Sequence, residues 1–225
     1  MNSNPLCDTR IVESWGKNAG PWTRAVQEKQ IDSRRQVTDH AIVEAVLSRS
    51  PKSVLDIGCG EGWLTRELHA RNIDVLGLDV TVQLIEEAQR AGGGRFGVAS
   101  YEDIAAGQFK ASVDVAVCNF ALLGKESVDS LFRSIASLLN SHGSFIVQTL
   151  HPVMACGDHL YRDGWREGSW DGFGSEFTDP APWYFRTLES WVRLFTDSKL
   201  RLLDVREPLH PRTGRPASVI FIAGK

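Results

Sequence analysis

The central part of the chain alternates short β-branched runs with stretches of mixed polarity. Five such runs precede position 151, at 53–57, 74–80, 95–99, 113–120 and 143–150. Between them, apolar residues recur at the three- and four-residue spacing of an amphipathic helix. This alternation predicts βαβ units, and hence a mostly parallel sheet with helices on both faces. Two more apolar runs, at 200–208 and 217–224, predict a pair of strands that completes the sheet.

The two remaining regions have different patterns. Residues 1–50 are polar and amphipathic, and Ile42, Val43 and Val46 with Val37 predict one buried helical face. We interpret residues 1–50 as an N-terminal helical cap and residues 51–225 as the main domain. Within that domain, residues 152–186 are rich in Gly, Trp and Tyr and have no apolar periodicity, which indicates an insertion.

Composition narrows the class of protein. The chain has 225 residues, a hydrophobic share of 42% and a net charge of -3, which fits one α/β domain with an appendage. The charge balance argues against a dedicated nucleic-acid binder, and no apolar run reaches the length of about 18 residues that a membrane span needs. The N-terminus lacks a signal-peptide pattern, and four scattered cysteines show no metal-ligand spacing. We therefore expect a reduced, cytoplasmic protein with no metal and no membrane contact.

Three glycines follow the first strand on alternate positions, at Gly58, Gly60 and Gly62. In an open α/β sheet, ligands bind at the carboxyl ends of the strands, and glycines there let backbone amides approach the ligand. About 20 residues later, Asp79 ends the second strand, where a carboxylate can accept hydrogen bonds from both hydroxyls of a ribose. The pattern predicts a ligand that contains a nucleoside.

The spacing of the glycines separates two classes of such ligands. The dinucleotide fingerprint G-x-G-x-x-G would need a third glycine at position 63, where Trp63 stands. The motif G-x-G-x-G follows the acidic Asp56, which favours an ammonium group directly or through water. S-adenosylmethionine has an adenosine, an ammonium and a sulfonium and fits this pattern.

With these motifs, the sequence resembles the class I S-adenosylmethionine-dependent methyltransferases, similar to the small-molecule enzymes of ubiquinone biosynthesis. The resemblance covers residues 52–150 and rests on "VLDIGCGEG", on Asp79 and on "CNFALL". It implies a Rossmann-like three-layer α/β sandwich with a seven-stranded, mostly parallel sheet, an antiparallel last strand and an N-terminal helical lid.

The resemblance also implies a set of residues that contact S-adenosylmethionine. In the family, segments before the first motif fold over the cofactor and substrate, so an arginine such as Arg35 is expected to pair with the carboxylate of the cofactor or with an acidic acceptor. Where the family commonly has an aspartate near the adenine amine, this chain has Ser100 and Tyr101. The expected cofactor residues are Asp56, Gly58, Cys59, Gly60, Gly62, Trp63, Asp79, Val80, Ser100, Tyr101, Asn119, Phe120 and Arg35.

Proton transfer has one candidate residue. His151 follows the fifth strand, and Pro152 directs the chain out of that strand toward the predicted cleft. A histidine there can act as a general base, or it can be a hydrogen-bonded structural residue at a strand end. Both interpretations stay open.

Aromatic residues and arginines in the cap and the insertion suggest the chemical class of the methyl acceptor. Such side chains suit a flat or anionic small molecule through stacking and cation–π contacts, although lid packing explains some of them. The segment "NFAL" also lacks the Pro-Pro-aromatic run of enzymes that methylate nucleobase amines or protein glutamines. The expected substrate-binding residues are Trp22, Tyr161, Trp165, Trp183, Tyr184 and Arg186.

The expected function is therefore transfer of a methyl group from S-adenosylmethionine to an O or N nucleophile of a small molecule by in-line displacement. The alternatives are a tRNA or protein methyltransferase, a non-catalytic protein that binds S-adenosylmethionine, and an NAD(P)-dependent oxidoreductase. The acceptor is expected to be the main partner, and the protein a monomer or homodimer.

Overall fold

A seven-stranded sheet forms the centre of the computed structural model, which describes residues 5–109 and 111–225. Residues 1–4 of the expected cap and position 110 lie outside the described residues. The strands are β1 (Ser53–Ile57), β2 (Asp74–Asp79), β3 (Arg95–Val98), β4 (Val113–Asn119), β5 (Leu139–Thr149), β6 (Gly164–Arg166), β7 (Trp183–Phe185), β8 (Arg201–Arg206) and β9 (Val219–Gly224). The large sheet has the order β3-β2-β1-β4-β5-β9-β8, and β6 pairs with β7 in a separate hairpin.

Helices cover both faces of the sheet, which confirms the three-layer fold. They are α1 (Asp8–Gln27), a π-helix (Arg34–Thr38), α2 (Asp39–Leu47), α3 (Trp63–His69), α4 (Val82–Ala91), α5 (Tyr101–Ala105), α6 (Glu126–Leu138), α7 (Pro152–Ala155) and α8 (Leu188–Asp197). Side chains alternate along each strand, so Val54 packs with α2 and α3 while Leu55 packs with α6 and α8. These two apolar layers hold the helices on the sheet.

The last strand is antiparallel, as expected, but it lies inside the sheet rather than at its edge. β9 pairs with β5 on one side and with β8 on the other. All six residues of β9 are buried and uncharged, whereas β8 carries charged residues and is largely exposed. The more apolar strand therefore takes the interior position, and the polar strand forms the edge.

The order of the strands reverses between β1 and β4. Val54 of β1 pairs with Val75 of β2 and with Val115 of β4, and all three strands are parallel. The carboxyl ends of these strands therefore meet at one edge, where a crevice opens in folds of this kind. The glycine motif, Asp79 and Asn119 all stand at this edge.

Candidate functional site

A cavity of about 710 Å³ opens at the carboxyl ends of β1, β2 and β4. Its floor contains the glycine loop after β1, the end of β2 and the loop after β4. Side chains of α1, the π-helix and the insertion (residues 152–186) line its other walls. Most of the expected cofactor residues line it, namely Gly58, Cys59, Gly60, Trp63, Asp79, Val80, Ser100, Tyr101, Asn119 and Phe120.

Close packing explains the first glycine of the loop. Gly58 has φ +75°, a conformation that side chains other than glycine rarely adopt. A Cβ atom at this position would lie 2.3 Å from the Cβ atom of Ala121 in the loop after β4. Glycine therefore lets the two loops that form the floor approach each other.

The first three amides of the loop already have partners in β2. The N–H groups of Gly58 and Cys59 both donate to the carbonyl of Leu78, at 2.7 and 3.0 Å. The N–H of Gly60 donates to Asp79 Oδ2 at 2.9 Å. The expectation that these amides are presented to a ligand is therefore not supported, and the loop contributes open space beside a fixed carboxylate.

Asp79 is held in one orientation at the cavity. Its Oδ1 accepts a hydrogen bond from the Thr81 amide at 2.8 Å, and its Oδ2 accepts the one from Gly60. Each oxygen retains a second lone pair, so the carboxylate can still accept two hydroxyl donors. Burial raises the pKa of Asp79. The geometry leaves room for the expected ribose contact, which stays a prediction.

Asp56 lies under the loop and does not line the cavity. The carboxyl group is buried, and it accepts a hydrogen bond from the Thr65 hydroxyl at 2.8 Å. Burial raises the pKa of Asp56 to about 7, and the charges of Asp79 and Glu61 act in the same direction. Gly62 also lies outside the lining, since it packs against Phe96. Both residues support the loop from below.

The loops after β3 and β4 complete the floor. Ser100 caps α5, because its hydroxyl accepts from the Asp103 amide at 3.1 Å. The Tyr101 hydroxyl donates to the carbonyl of Ala121 at 3.0 Å, which fixes that ring against the next loop. Asn119 Oδ1 is buried and has no hydrogen-bond partner among the described residues. Phe120, at φ +53°, is an unusual left-handed residue beside it.

The π-helix places Arg34, rather than Arg35, at the cavity. The Arg34 guanidinium lies 4.8 Å from the Trp63 ring centroid and 5.9 Å from that of Trp22. Its Nε donates to Asp39 at 2.9 Å, while its buried Nη2 has no partner in the described part of the chain. Arg35 is exposed and pairs with Asp32. A guanidinium nitrogen whose N–H groups have no partner is suited to bind a carboxylate.

His151 pairs with a carboxylate that, like His151 itself, does not line the cavity. The ring is buried, and its Nε2 lies 2.7 Å from Glu207 Oε1 in the segment that follows β8. His151 is not among the residues that line the cavity. This geometry agrees with the structural interpretation of the residue, and its role as a base stays a prediction that the geometry does not favour.

Of the six expected substrate residues, only Trp22 and Trp183 line the cavity. Tyr161 is largely exposed and accepts a hydrogen bond from the Leu188 amide at 2.9 Å. Trp165 packs edge-on against Tyr184, its partner in the β6–β7 hairpin. These two rings lie on one face of the hairpin, and Trp183 lies on the opposite face. Arg186 is buried and donates to the carbonyls of Gly124 and Lys125, so it anchors the hairpin to the loop after β4.

Three aromatic residues that were not among the expected substrate residues also line the cavity: Trp15, Trp170 and Phe173. Trp15 lies seven residues before Trp22, two helical turns away, and this spacing is a signal for a shared helix face. Trp170 and Phe173 lie in irregular chain, where no periodicity marks them.

The first helix and the insertion are joined by direct hydrogen bonds. Asn18 donates to the carbonyl of Thr178 at 2.7 Å and accepts from the Thr178 amide at 2.9 Å. Ser14 donates to the carbonyl of Asp179 at 2.5 Å, and Lys17 pairs with the Asp179 carboxylate. These contacts join two segments that are distant in sequence on one side of the cavity.

The described residues contain neither a group of metal-ligating side chains nor a helix that could span a membrane. No three His, Cys, Asp or Glu side chains in ranges 5–109 and 111–225 are grouped as metal ligands. None of the helices in those ranges is both long and apolar enough to cross a membrane.

Part of the sequence is similar to known methyltransferases. Residues 54–143 match the family described as "Methyltransferase domain". The chain is 25% identical over 156 residues to malonyl-[acyl-carrier protein] O-methyltransferase of Legionella pneumophila, covering 64% of this chain and 51% of that protein. It is 27% identical over 113 residues to ubiquinone biosynthesis O-methyltransferase of Cupriavidus pinatubonensis, covering 48% and 45%. The chain thus spans about half the length of these curated relatives.

The fold is similar to that of a solved methyltransferase. Magnesium protoporphyrin IX methyltransferase from Synechocystis, crystallised with bound S-adenosylhomocysteine, superposes with a TM-score of 0.68 at 19% identity. The match covers 97% of this chain and 100% of that one. The family match covers β1 to the start of β5, and the similarity of fold extends over nearly the whole chain.

Proposed function

We propose that the protein transfers a methyl group from S-adenosylmethionine to an O or N nucleophile of a small molecule. The observation that carries this proposal is the cavity that joins the glycine loop and Asp79 to the aromatic residues of α1 and the insertion. One end has the groups that a nucleoside needs, and the other has room for an acceptor. The cofactor would supply an electrophilic sulfonium methyl group.

The residues at the floor of the cavity fit this cofactor. The space beside Gly60 is open except for the Trp22 indole, which would lie 3.8 Å from an added Cβ atom. Asp79 would accept hydrogen bonds from the ribose hydroxyls, and Arg34 Nη2 would donate to the carboxylate. Asn119 Oδ1, buried without a partner among the described residues, would accept from the ammonium group.

The chain's contribution to the reaction is alignment and exclusion of water. In-line displacement needs the nucleophile close to the methyl group, and fixing that geometry contributes on the order of 7–11 kcal/mol in favourable intramolecular cases. We assign α1 and the insertion to a lid, because the contacts from Asn18 to Thr178 hold them over the cavity. The lid would keep bulk water from the acceptor.

The names of the relatives support an oxygen or nitrogen nucleophile, and one solved structure supports a small acceptor. Both curated relatives are O-methyltransferases by name. A solved structure with a TM-score of 0.64 and 18% identity is the 1,6-didemethyltoxoflavin-N1-methyltransferase of Burkholderia thailandensis, bound to 1,6-didemethyltoxoflavin and S-adenosylhomocysteine. The match covers 99% of this chain and 92% of that one.

Turnover with defined acceptors tests this function. The purified protein is incubated with S-adenosylmethionine and separate pools of phenols, heteroaromatic amines, aliphatic alcohols, tRNA and protein. Release of S-adenosylhomocysteine is followed together with the mass of each product. We expect turnover with a small-molecule pool. Methylation of only tRNA or protein would contradict the small-molecule assignment, and no methylation in any pool would favour a non-catalytic binding protein.

A further inference from the structure

Aromatic rings dominate the part of the cavity that lies away from the nucleoside groups. Trp15 contacts Trp22 and Trp170 edge-on, with centroids 5.1 and 5.9 Å apart. Phe173 lies 5.4 Å from Trp170 and 6.3 Å from Trp22. These four rings form a continuous wall built from both α1 and the insertion, and all four line the cavity.

One hydrogen bond fixes the ring of Trp170 in this wall. The Trp170 Nε1–H donates to the carbonyl of Thr178 at 3.0 Å. The same carbonyl accepts from Asn18, so the ring position depends on the contact between α1 and the insertion. With its polar group already paired, the indole offers the cavity its carbon surface.

The hairpin adds a further ring on the cavity side. Trp183 and Phe185 alternate with Tyr184 along β7, so Trp183 faces the cavity while Tyr184 packs against Trp165 on the opposite face. Trp165 and Trp183 are therefore a matched pair, since they are the same residue type in one hairpin and only Trp183 lines the cavity.

Two arginines of the insertion, Arg166 and Arg186, are paired with groups other than a ligand. Arg166 donates to the carbonyl of Cys156 at 2.9 Å, and its guanidinium lies 3.8 Å from the Phe185 ring centroid and 5.7 Å from that of Trp183. Arg186 is buried against backbone carbonyls and Asp129. No arginine of the insertion lines the cavity, whereas Asp8 does, and its carboxylate accepts hydrogen bonds from the Lys125 and Ser127 amides at 2.9 and 2.6 Å. Apart from Arg34, which we assign to the cofactor, the described lining residues include no lysine or arginine to bind an anionic acceptor.

From these contacts we propose that the acceptor is a planar aromatic molecule without a negative charge, bound against the indole faces of Trp170 and Trp183. This inference rests on the proposed function and specifies its substrate class. Aromatic pairs gain free energy beyond buried area when their rings stack or meet edge to face, and a saturated ring of similar size lacks this gain. Aromaticity and charge, rather than size alone, would then decide which molecules bind.

Three related probes separate these factors: 2-naphthol, decahydro-2-naphthol and 2-naphthoate. Each is titrated by calorimetry into protein already saturated with S-adenosylhomocysteine. We expect 2-naphthol to bind about three- to tenfold more tightly than either other probe, which corresponds to the gain from one or two aromatic contacts. Equal binding of the three probes, tighter binding of 2-naphthoate, or no binding of 2-naphthol would overturn the inference.

The matched tryptophans provide the controls. Trp183→Leu and Trp170→Leu should each remove most of the preference for 2-naphthol, whereas Trp165→Leu should retain it. Affinity for S-adenosylhomocysteine, measured first in every variant, should stay unchanged and shows that the protein is folded. A preference that persists in both cavity variants would overturn the inference. If the wild type does not bind S-adenosylhomocysteine, the proposed function fails, and this result is distinct from failure of the substrate class.

Discussion

Replacement of Asp56 by asparagine is expected to change how the stability of the protein depends on pH. Asp56 is buried below the glycine loop, and burial raises its pKa from 3.8 to about 7. The native protein therefore holds this proton more tightly than the unfolded chain does. The stability that this proton contributes is fully present below the unfolded pKa of 3.8 and is lost as the pH rises through about 7.

The size of the effect follows from the shift. Each pKa unit corresponds to about 1.4 kcal/mol, so between about pH 5 and about pH 8 the wild type should lose about 3 kcal/mol from this group. The asparagine of the variant has no proton to lose, and its side-chain carbonyl can still accept the hydrogen bond from Thr65. The free energy of unfolding of the variant should therefore rise relative to that of the wild type as the pH increases.

Urea denaturation at a series of pH values, followed by tryptophan fluorescence, measures this difference. Asp114→Asn is the control, because hydrogen bonds from Asn140 and from the Lys52 amide lower the pKa of Asp114. Asp114 stays ionised in both states over this pH range, so its variant should differ from the wild type by a constant amount. A constant difference for Asp56→Asn, or one that falls with increasing pH, would refute the reasoning.

Three further substitutions test the cavity. Asp79→Ala should weaken binding of S-adenosylhomocysteine by about 1–3 kcal/mol, because a buried hydrogen-bond partner is lost. Asp74 is exposed, so Asp74→Ala should leave this affinity unchanged. If Asp79→Ala and the wild type have equal affinities by calorimetry, Asp79 does not bind the ribose. Arg34→Gln should weaken S-adenosylhomocysteine about tenfold or more but leave 5′-methylthioadenosine, which lacks the carboxylate, unaffected. The neighbouring Arg35→Gln should change neither affinity. If Arg35→Gln weakens binding of S-adenosylhomocysteine and Arg34→Gln does not, Arg35 is the residue that binds the carboxylate. Asn18→Ala should speed proteolysis of residues 152–186, because both hydrogen bonds to the insertion are lost; an unchanged cleavage rate would argue against Asn18 holding the lid.

The sequence was sufficient to predict the floor of the cavity, because local patterns determine it. Gly58 and Asp79 each follow an apolar run whose length and composition mark a strand, and parallel strands bring their carboxyl ends together. The interior position of β9 was not predicted, because strand order depends on which apolar face is covered in three dimensions. The burial of its six residues gives the reason afterwards.

Side-chain direction could not be predicted at several positions. The π-helix changes the number of residues per turn. A helical pattern of 3.6 residues per turn therefore does not show that Arg34, rather than Arg35, lies at the cavity. His151 was placed at the right end of β5, but its partner Glu207 is 56 residues away, and no local pattern links them. In the insertion, the short β6–β7 hairpin decides that Trp183 rather than Trp165 lines the cavity.

Calorimetric titration of the wild-type protein with S-adenosylmethionine and S-adenosylhomocysteine, with NADH as the control, tests the central claim most directly. The account predicts micromolar binding of both sulfur compounds at one site and no binding of NADH. Binding of NADH without either sulfur compound would contradict the interpretation of the glycine spacing and would favour an NAD(P)-dependent oxidoreductase.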